Sequence, residues 1–202
     1  MVRTLNPERR TRFLNAALKL FVAKGVPNTS TAEIARKAGT AAGTLFLYFP
    51  TKQDLIIELI LNIGREQSDY INSLLNPSLS VRETFFTIWE GSIRWFLGHM
   101  NEYQYAQQVR DPRIIGEKTA RESAKFFQYY FTAVQKGLAE GQIKNYPFEL
   151  VGGILYQHIV GVMNLIAAQP DPAKRDAYIQ LGFEIFWNGI KAGAAEKPAT
   201  GR

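Results

Sequence analysis

Two short helices separated by a glycine turn are the feature that most limits how this chain can fold. Ser30 and Glu33 form a capping box, in which each side chain can hydrogen-bond the backbone N–H of the other residue, and this predicts a helix that ends at Gly39. Thr40 can cap the next helix, from Ala41 to Phe49, and a proline then closes it because the residue before proline avoids helical geometry. The sequence therefore predicts two helices, each too short to be stable alone, that meet at a bend.

The spacing of residues across this bend is that of a helix-turn-helix. Counting from Ala35, a small residue where two helices can cross, Gly39 comes four residues later in the turn and Leu45 ten residues later on the buried face of the second helix. Glycine accepts the left-handed conformation that such a turn requires, and the second helix of the pair can enter the major groove of DNA. Other short helical corners show the same spacing, so the pattern needs further support.

The remainder of the chain predicts more helices and no strand. Asn6 can cap a helix that begins at Pro7 and ends at Gly25, and a second capping box, Thr51 with Asp54, opens a long fourth helix. The later predicted helices span residues 80–100, 102–110, 114–140, 147–169 and 173–191, with a tail over residues 193–202. Because no segment shows the alternation of a strand with a hairpin turn, the sequence predicts an all-α protein of about nine helices.

Charge separates the first quarter of the chain from the rest. Residues 1–52 contain nine basic and two acidic residues, a net charge of 9 − 2 = +7, whereas the other 150 residues contain fifteen basic and sixteen acidic ones. A basic segment joined to a neutral remainder favours a polyanion as the partner of the N-terminal part; a solubilising surface is the alternative. The lack of cysteine excludes disulfides and Cys-rich zinc sites and suits a reducing compartment.

Hydropathy indicates a soluble protein. The N-terminus has early positive charge but no uninterrupted apolar stretch of the kind found in signal peptides. The segment closest to a membrane span, residues 148–168, is interrupted by Glu149, Gln157, His158 and Asn164. We therefore expect a cytoplasmic protein that does not enter a membrane.

One continuous segment, residues 29–52, resembles the signature of the TetR/AcrR transcription regulators. It reads TSTAEIARKAGTAAGTLFLYFPTK, and the specific elements are I-A-x-x-A-G, G-T-L-F-x-Y-F and the lysine after them. The resemblance covers about the first 60 residues, and the rest of the chain matches in helix count, length and order. It implies a DNA-binding domain of three helices over residues 1–50 and a helical bundle over residues 51–202 that binds a small molecule and forms a homodimer.

Three residues would hold DNA phosphates if the family pattern is carried over by position. They are Ser30 at the start of helix 2, Tyr48 in the recognition helix and Lys52 at the start of helix 4. A hydroxyl beside free N–H groups, a projecting phenol and a cation near a helix N-terminus each suit a phosphate. Three arginines at the start of the chain could also reach the DNA backbone or minor groove, or belong to a solvated arm: Arg3, Arg9 and Arg10.

The base-facing residues implied by the resemblance are small. They are Ala41, Ala42, Gly43 and Thr44, whereas family members often have a polar or basic pair in place of the two alanines. Leu47, where the family often has histidine, faces outward and is either a base contact or a helix contact. Since alanine methyls can touch the methyl of thymine and Thr44 adds one hydroxyl, we expect a half-site that contains A/T pairs.

Some residues of this region are expected in the protein core instead. The spacing of apolar side chains in the recognition helix assigns three of them to the interior: Leu45, Phe46 and Phe49.

Aromatic residues at helical spacing mark the C-terminal part as either a packed core or a ligand cavity. An apolar cavity with a few polar groups is the usual form of a small-molecule site. Seven residues are candidates to line it, and their character suits an aromatic or lipophilic ligand with one polar group: Trp89, Ile93, Phe96, Tyr105, Phe127, Tyr130 and His158.

The last two helices combine small and large apolar residues, which lets helices approach one another closely. These residues are Gly152, Gly153, Tyr156, Val160 and Met163 in one helix, and Tyr178, Leu181, Gly182, Ile185, Phe186 and Gly189 in the other. The resemblance implies a two-fold interface through these helices, and two-fold symmetry predicts a palindromic operator. It also implies that a ligand which shifts helix 4 releases the DNA, as in a ligand-responsive repressor.

An enzyme is not expected. Histidine occurs only at positions 99 and 158, and the sequence contains no H-E-x-x-H, G-x-S-x-G, G-x-G-x-x-G or P-loop motif. We therefore expect no metal site and no cofactor. The alternative to a DNA-binding regulator is a helical-bundle protein that binds a lipid or small molecule without specific DNA binding, but such a protein needs no capped helix, glycine turn and short third helix.

Overall fold

The computed structural model describes residues 5–109, 116–169 and 171–193, except for the side chain of Lys118. Arg3, the predicted start of a helix at Ile114 and most of the predicted tail lie outside these residues. The chain divides into two compact units, Met1–Glu66 with His99–Lys125, and Gln67–Gly98 with Phe126–Arg202. The predicted boundary between residues 50 and 51, which separates two functions, stays a prediction.

The regular elements of the described residues are all helices, as predicted, and one isolated antiparallel bridge joins Ile143 and Lys191. The helices are α1 Pro7–Lys24, α2 Thr31–Lys37, α3 Ala42–Tyr48, α4 Lys52–Leu74, α5 Val81–Gly98, α6 Met100–Gln108, α7 Glu117–Ala124, α8 Gln128–Ala139, α9 Phe148–Ala167 and α10 Pro172–Ile190. A 3₁₀ turn over Lys125–Phe127 joins α7 to α8 without a gap, where the sequence predicts one helix. Counted as one, these segments make nine helices in the described part of the chain.

Most of the predicted helix caps are present. The Asn6 side chain accepts a hydrogen bond from the Arg9 N–H, and the boxes at Ser30 and Thr51 are both formed. Lys24 also donates to the Glu33 carboxylate at 2.5 Å. This bond, followed by those from Ser30, lowers the pKa of Glu33 to about 2.

The predicted cap at Thr40 is wrong. Ala41 is the N-cap residue of α3 and has no side-chain cap, while Thr40 closes the helix before it. The Thr40 N–H and hydroxyl both donate to the Ala35 carbonyl, at 2.9 and 3.3 Å. The reason is the left-handed Gly39, whose φ of +73° turns the chain back over the end of α2, where the last carbonyls need donors.

The core of the first unit is aromatic. Phe13, Phe21 and Phe49 are buried, and the Tyr105 ring of α6 stacks on Phe21 with centroids 5.7 Å apart. The Tyr105 hydroxyl donates to the Ile56 carbonyl at 2.9 Å, which satisfies the phenol inside the protein. Burial raises the pKa of Tyr105 above its usual range.

The core of the second unit centres on Trp89 of α5. Its ring stacks on Phe186 of α10 at 6.3 Å, and its indole N–H donates to the Ile179 carbonyl at 2.9 Å. Gly182 lies between this indole and α9: a Cβ at residue 182 would come within 2.6 Å of Val162 Cγ2 and 2.9 Å of Trp89 Cζ2. The missing side chain therefore lets α10 pack closely on α5 and α9.

The glycines and apolar residues predicted for a partner interface separate into two groups. Met163 and Phe186 are buried, and Gly152 and Gly182 pack against side chains of their own unit. Several large apolar side chains of α9 and α10 are exposed instead, and we call five of them the α9–α10 face: Leu150, Ile154, Leu165, Leu181 and Ile185. Gly153, Gly161 and Gly189 have open space at their Cα atoms.

One described helix, α9, is long and apolar enough to cross a membrane by length and composition, with a mean hydropathy of 1.6 and one third of the window buried. A core helix of a soluble protein passes the same test, so this single helix is weak evidence for a membrane protein.

Replacing Gly182 should destabilise the protein because an added methyl meets two packed side chains. We expect Gly182→Ala to lower the free energy of unfolding by about 1 to 3 kcal/mol, as other overpacked cores do. Gly153→Ala is the matched control: it lies in α9 with nothing near its Cα, and alanine in a helix should add about 0.5 to 1 kcal/mol. Urea unfolding at one protein concentration measures both, and equal midpoints for the two variants would contradict this packing.

The Glu33 cap should make stability depend on acid. Because the folded pKa of Glu33 lies near 2, below that of the unfolded chain, its stabilisation is complete above about pH 5 and is lost as the pH falls through 2. Glu33→Gln should therefore unfold at lower urea than wild type at pH 6, and the two midpoints should approach one another towards pH 3. A midpoint difference that stays constant over this range would contradict a stabilising role of the ionised carboxylate.

Candidate nucleic-acid interface

The turn at Gly39 and two buried side chains determine which side of α3 faces outward. Ala35 of α2 and Leu45 of α3 have no exposed surface, and Phe49 at the end of α3 is 2% exposed. Leu45 and Phe49 are four residues apart and so lie on the same side of the helix. The rest of α3 is left to face solvent.

The residues predicted to face DNA bases lie on this free side. Ala41, Ala42 and Gly43 are exposed at the start of α3, Thr44 is half-buried, and Leu47 is 60% exposed. The outward direction of Leu47 is thereby confirmed, although its contact with a base stays a prediction. These small side chains would let the first turn of α3 approach another molecule closely.

Phe46 is wrongly predicted as a core residue. It is 44% exposed and lies beside Leu47 on the free side of α3. One residue along a helix rotates the side chain by about 100°, so Phe46 cannot share the buried side with Leu45. The inward spacing of Leu45 and Phe49 is the sequence signal that could have identified Phe46 as part of the interface.

The predicted phosphate contacts all carry hydrogen bonds inside the protein. The Ser30 hydroxyl accepts from the Glu33 N–H at 3.2 Å, and the Tyr48 hydroxyl accepts from the Asn6 N–H at 3.1 Å. The Lys52 ammonium donates to the Val26 carbonyl, in the loop between α1 and α2, at 2.6 Å. An ammonium has three N–H groups, so this bond orients Lys52 and leaves donors for a phosphate.

The arginines at the start of α1 differ in their surroundings. Arg10 forms an ion pair with Glu58 and lies over the Phe49 ring, 5.6 Å from its centroid. The Nε of Arg9 is buried and has no hydrogen-bond partner within the part of the chain that the structure describes. Arg36 and Lys37, at the end of α2, are exposed. Arg10 is therefore held by an ion pair within the first unit, whereas the buried Nε of Arg9 has no partner among the described residues.

A common cavity for the seven predicted ligand residues stays a prediction. Tyr105 belongs to the core of the first unit, while the other six lie in the second. Trp89, Ile93 and Phe96 are buried in the packed core. Phe127 is 39% exposed, and the ring of His158 lies 6.2 Å from Phe186. Two open clefts, of about 550 and 480 Å³, contain none of the seven.

Metal binding finds no support in the side chains that the structure describes. No group of three or more His, Asp or Glu side chains is placed there to hold an ion.

Comparison with known proteins points to one family. The TetR_N model of bacterial regulatory proteins of the tetR family matches residues 13–59, which include α2, α3 and the turn between them. The HTH-type transcriptional regulator AcrR of Shigella flexneri is 35% identical over 91 residues, but the match spans only 43% of this chain and 42% of AcrR. SrpR of Pseudomonas putida is 23% identical over 89% of this chain and 84% of its own length.

Solved structures show the same fold over nearly the whole chain. A TetR family transcription regulator from Shewanella sp. PV-4 superposes with a TM-score of 0.85 at 24% identity and covers 92% of this chain and 99% of its own. A regulator from Vibrio parahaemolyticus has a TM-score of 0.77 at 26% identity, covering 92% of this chain and 100% of its own. FadR from Bacillus subtilis, solved with stearoyl-CoA, has a TM-score of 0.72 at 18% identity over 89% of this chain and 98% of its own.

The helix-turn-helix, the family model and these structures agree with the predicted resemblance. Residues 13–59 therefore match the tetR family of bacterial regulatory proteins, and the chain has the fold of solved TetR-family regulators.

Proposed function

We propose that the protein is a ligand-responsive repressor that binds a palindromic DNA operator as a homodimer and is released by a small lipophilic effector. The observation that carries the DNA-binding part is the side of α3 left free by the burial of Leu45 and Phe49. This side is at the right place in a helix-turn-helix to enter the major groove. The protein would act in the cytoplasm.

The composition of α3 determines which bases it can read. Within Ala41–Tyr48 there is no arginine, lysine, asparagine or glutamine, the side chains that form paired hydrogen bonds with guanine or adenine. Exposed methyl and aromatic groups, including Phe46 and Leu47, can instead contact the methyl of thymine. The half-site therefore contains A/T pairs and is read partly through the shape of the DNA.

Affinity would come from phosphates held on either side of α3. Ser30 lies at the start of α2, and Tyr48 and Lys52 follow the exposed part of α3. Because the bonds to Glu33, Asn6 and Val26 orient these three side chains before DNA arrives, little conformational entropy is lost on binding. Arg9 adds a further cation at the start of α1.

The dimer interface would be the α9–α10 face. Leu181 and Ile185 are 61% and 67% exposed and lie one turn apart on α10, and the exposed leucines and isoleucine of α9 repeat at helical spacing. A contiguous apolar face on a soluble protein marks a binding surface. Two-fold pairing of this face buries the same patch on both subunits and would hold two copies of α3 at a defined distance.

The effector part of the proposal rests on composition and on one relative. The second unit is rich in aromatic side chains, and the FadR structure contains an acyl-CoA. Because α4 contributes residues to both units, a ligand that favours one position of α4 could change the spacing of the two α3 helices. DNA affinity then falls if the ligand binds the two states unequally.

Selection from a random DNA library should recover a palindrome with A/T-containing half-sites. Binding of this DNA, measured by fluorescence anisotropy across a salt series, should weaken steeply with salt. In Lys52→Met the slope of log K against log[salt] should become shallower by about 1.8, because each subunit of the dimer loses one phosphate contact worth about 0.9.

The control is Lys19→Met, an exposed lysine in the middle of α1 outside the proposed interface, for which the slope should match wild type. G-rich half-sites would contradict the proposed base reading, and an unchanged slope in Lys52→Met would show that Lys52 only holds the α1–α2 loop. If the library enriches no sequence, the protein is a small-molecule binder without specific DNA binding.

Charges placed on the α9–α10 face should separate the dimer. Light scattering should find wild type at twice the chain mass of 22.8 kDa and Leu181→Glu/Ile185→Glu at the single mass. The control is Gln180→Glu, which adds a charge to α10 on another side and should remain a dimer. A dimeric double variant would place the interface elsewhere, and a monomeric wild type would contradict the dimer itself.

A further inference from the structure

The Tyr130 hydroxyl is a buried polar group that the second unit leaves without a partner. Tyr130 is 7% exposed, and its oxygen is sealed from solvent and has no donor or acceptor within reach among the described residues. The two other deeply buried polar aromatic side chains noted above, Trp89 and Tyr105, donate to main-chain carbonyls. Since burying a polar group without a hydrogen bond costs free energy, Tyr130 needs an explanation.

The surroundings of this hydroxyl are apolar. The Tyr130 ring packs edge-on against Phe85, with centroids 6.2 Å apart, and at a tilt of 46° against Phe148, with centroids 5.0 Å apart. On its other side it faces the bare Cα of Gly152, where a Cβ would lie 3.5 Å from the hydroxyl oxygen. Gly152 therefore lets the phenol lie directly against α9.

One of these neighbours also forms part of the surface. Phe148, in the first turn of α9, is 37% exposed, and its ring lies 5.7 Å from Phe131, which is 44% exposed. Moving the Phe148 ring would uncover Tyr130 without opening the core around Trp89. A flat apolar molecule that took the place of this ring would meet the same neighbours.

The chemistry of the hydroxyl indicates the ligand atom that it would meet. Burial raises the pKa of Tyr130, so the phenol stays protonated at neutral pH and can donate a hydrogen bond. No lysine or arginine bonds this oxygen within the described residues. A carboxylate there would lose its water without gaining a cation, whereas an uncharged carbonyl costs much less to bury.

We propose that Tyr130 is the polar anchor of the effector site: its hydroxyl donates to an uncharged carbonyl oxygen of an apolar ligand that displaces the Phe148 ring. This inference rests on the proposed effector response and specifies its ligand class, neutral ketones, esters or amides with an aromatic or alkyl body. Among the described residues the hydroxyl has no partner, and the ligand would supply one.

Unfolding experiments test whether the hydroxyl is unpaired. Tyr130→Phe should not lower the urea midpoint, because no hydrogen bond is lost. Tyr105→Phe is the matched control: it removes a buried phenol that donates to the Ile56 carbonyl and should lower the midpoint. Equal losses in both variants would show that Tyr130 has a structural partner and would overturn the proposal.

Binding experiments test the ligand class with a pair of probes that differ at one group. Benzophenone and diphenylmethane have the same two rings, joined by a carbonyl in one and by CH2 in the other. In equilibrium dialysis against the full chain, wild type should bind benzophenone up to about tenfold more tightly, and Tyr130→Phe should bind the two equally. The Tyr105→Phe variant should keep the preference for benzophenone.

A preference of the same size in wild type and Tyr130→Phe would overturn the anchor, as would no binding of benzophenone by wild type. These outcomes are separate from the proposed function, which the operator selection tests without any ligand. A protein that binds its operator but shows no Tyr130-dependent preference remains a regulator with a different effector site. One that shows the preference but enriches no DNA is a small-molecule binder.

Discussion

The interface depends on the turn between α2 and α3. Gly39 takes a left-handed conformation, and this returns Thr40 to the end of α2, where its N–H and hydroxyl bond the Ala35 carbonyl. The turn is therefore closed by hydrogen bonds before α3 begins. Because the turn sets the direction of α3, the side chains of Leu45 and Phe49 are buried. The small residues of α3 and Phe46 then face solvent. A side chain at residue 39 would strain this conformation.

The polar residues of the interface have two roles. Ser30, Tyr48 and Lys52 each form a hydrogen bond within the protein, and in the proposed function they also hold DNA phosphates. The bond between Tyr48 and Asn6 ties the start of α1 to the end of α3, and that between Lys52 and Val26 ties α4 to the loop before α2. Such bonds fix the positions of the helices before any partner binds. Less conformational entropy is therefore lost when the protein meets a rigid double helix.

In the second unit, α10 shows how one helix can serve two surfaces. Its inner side is so close to Trp89 that only glycine fits at residue 182, while Leu181, the residue before it, is 61% exposed. The inner side therefore needs the smallest side chain, and the outer side carries large apolar groups that the described part of the chain leaves exposed. This contrast between adjacent residues supports a second copy as the occupant of the α9–α10 face.

The sequence by itself determined the helices, their caps and the helix-turn-helix, because these depend on residues within about one turn of each other. The box at Ser30, the bend at Gly39 and the family signature could all be read without coordinates. The error at Phe46 came from assigning a run of apolar residues to the core together, although the four-residue spacing of Leu45 and Phe49 places Phe46 on another side of the helix.

Only the tertiary structure decided which polar groups are paired. The Tyr48 hydroxyl meets a backbone N–H 42 residues away, the Tyr105 hydroxyl a carbonyl 49 residues away and the Trp89 indole one 90 residues away. No local pattern encodes such distances, so a satisfied Tyr105 and an unpaired Tyr130 look alike in the sequence. The physical reason is that hydrogen bonding and burial are settled by packing between distant segments, whereas helix formation is settled within them.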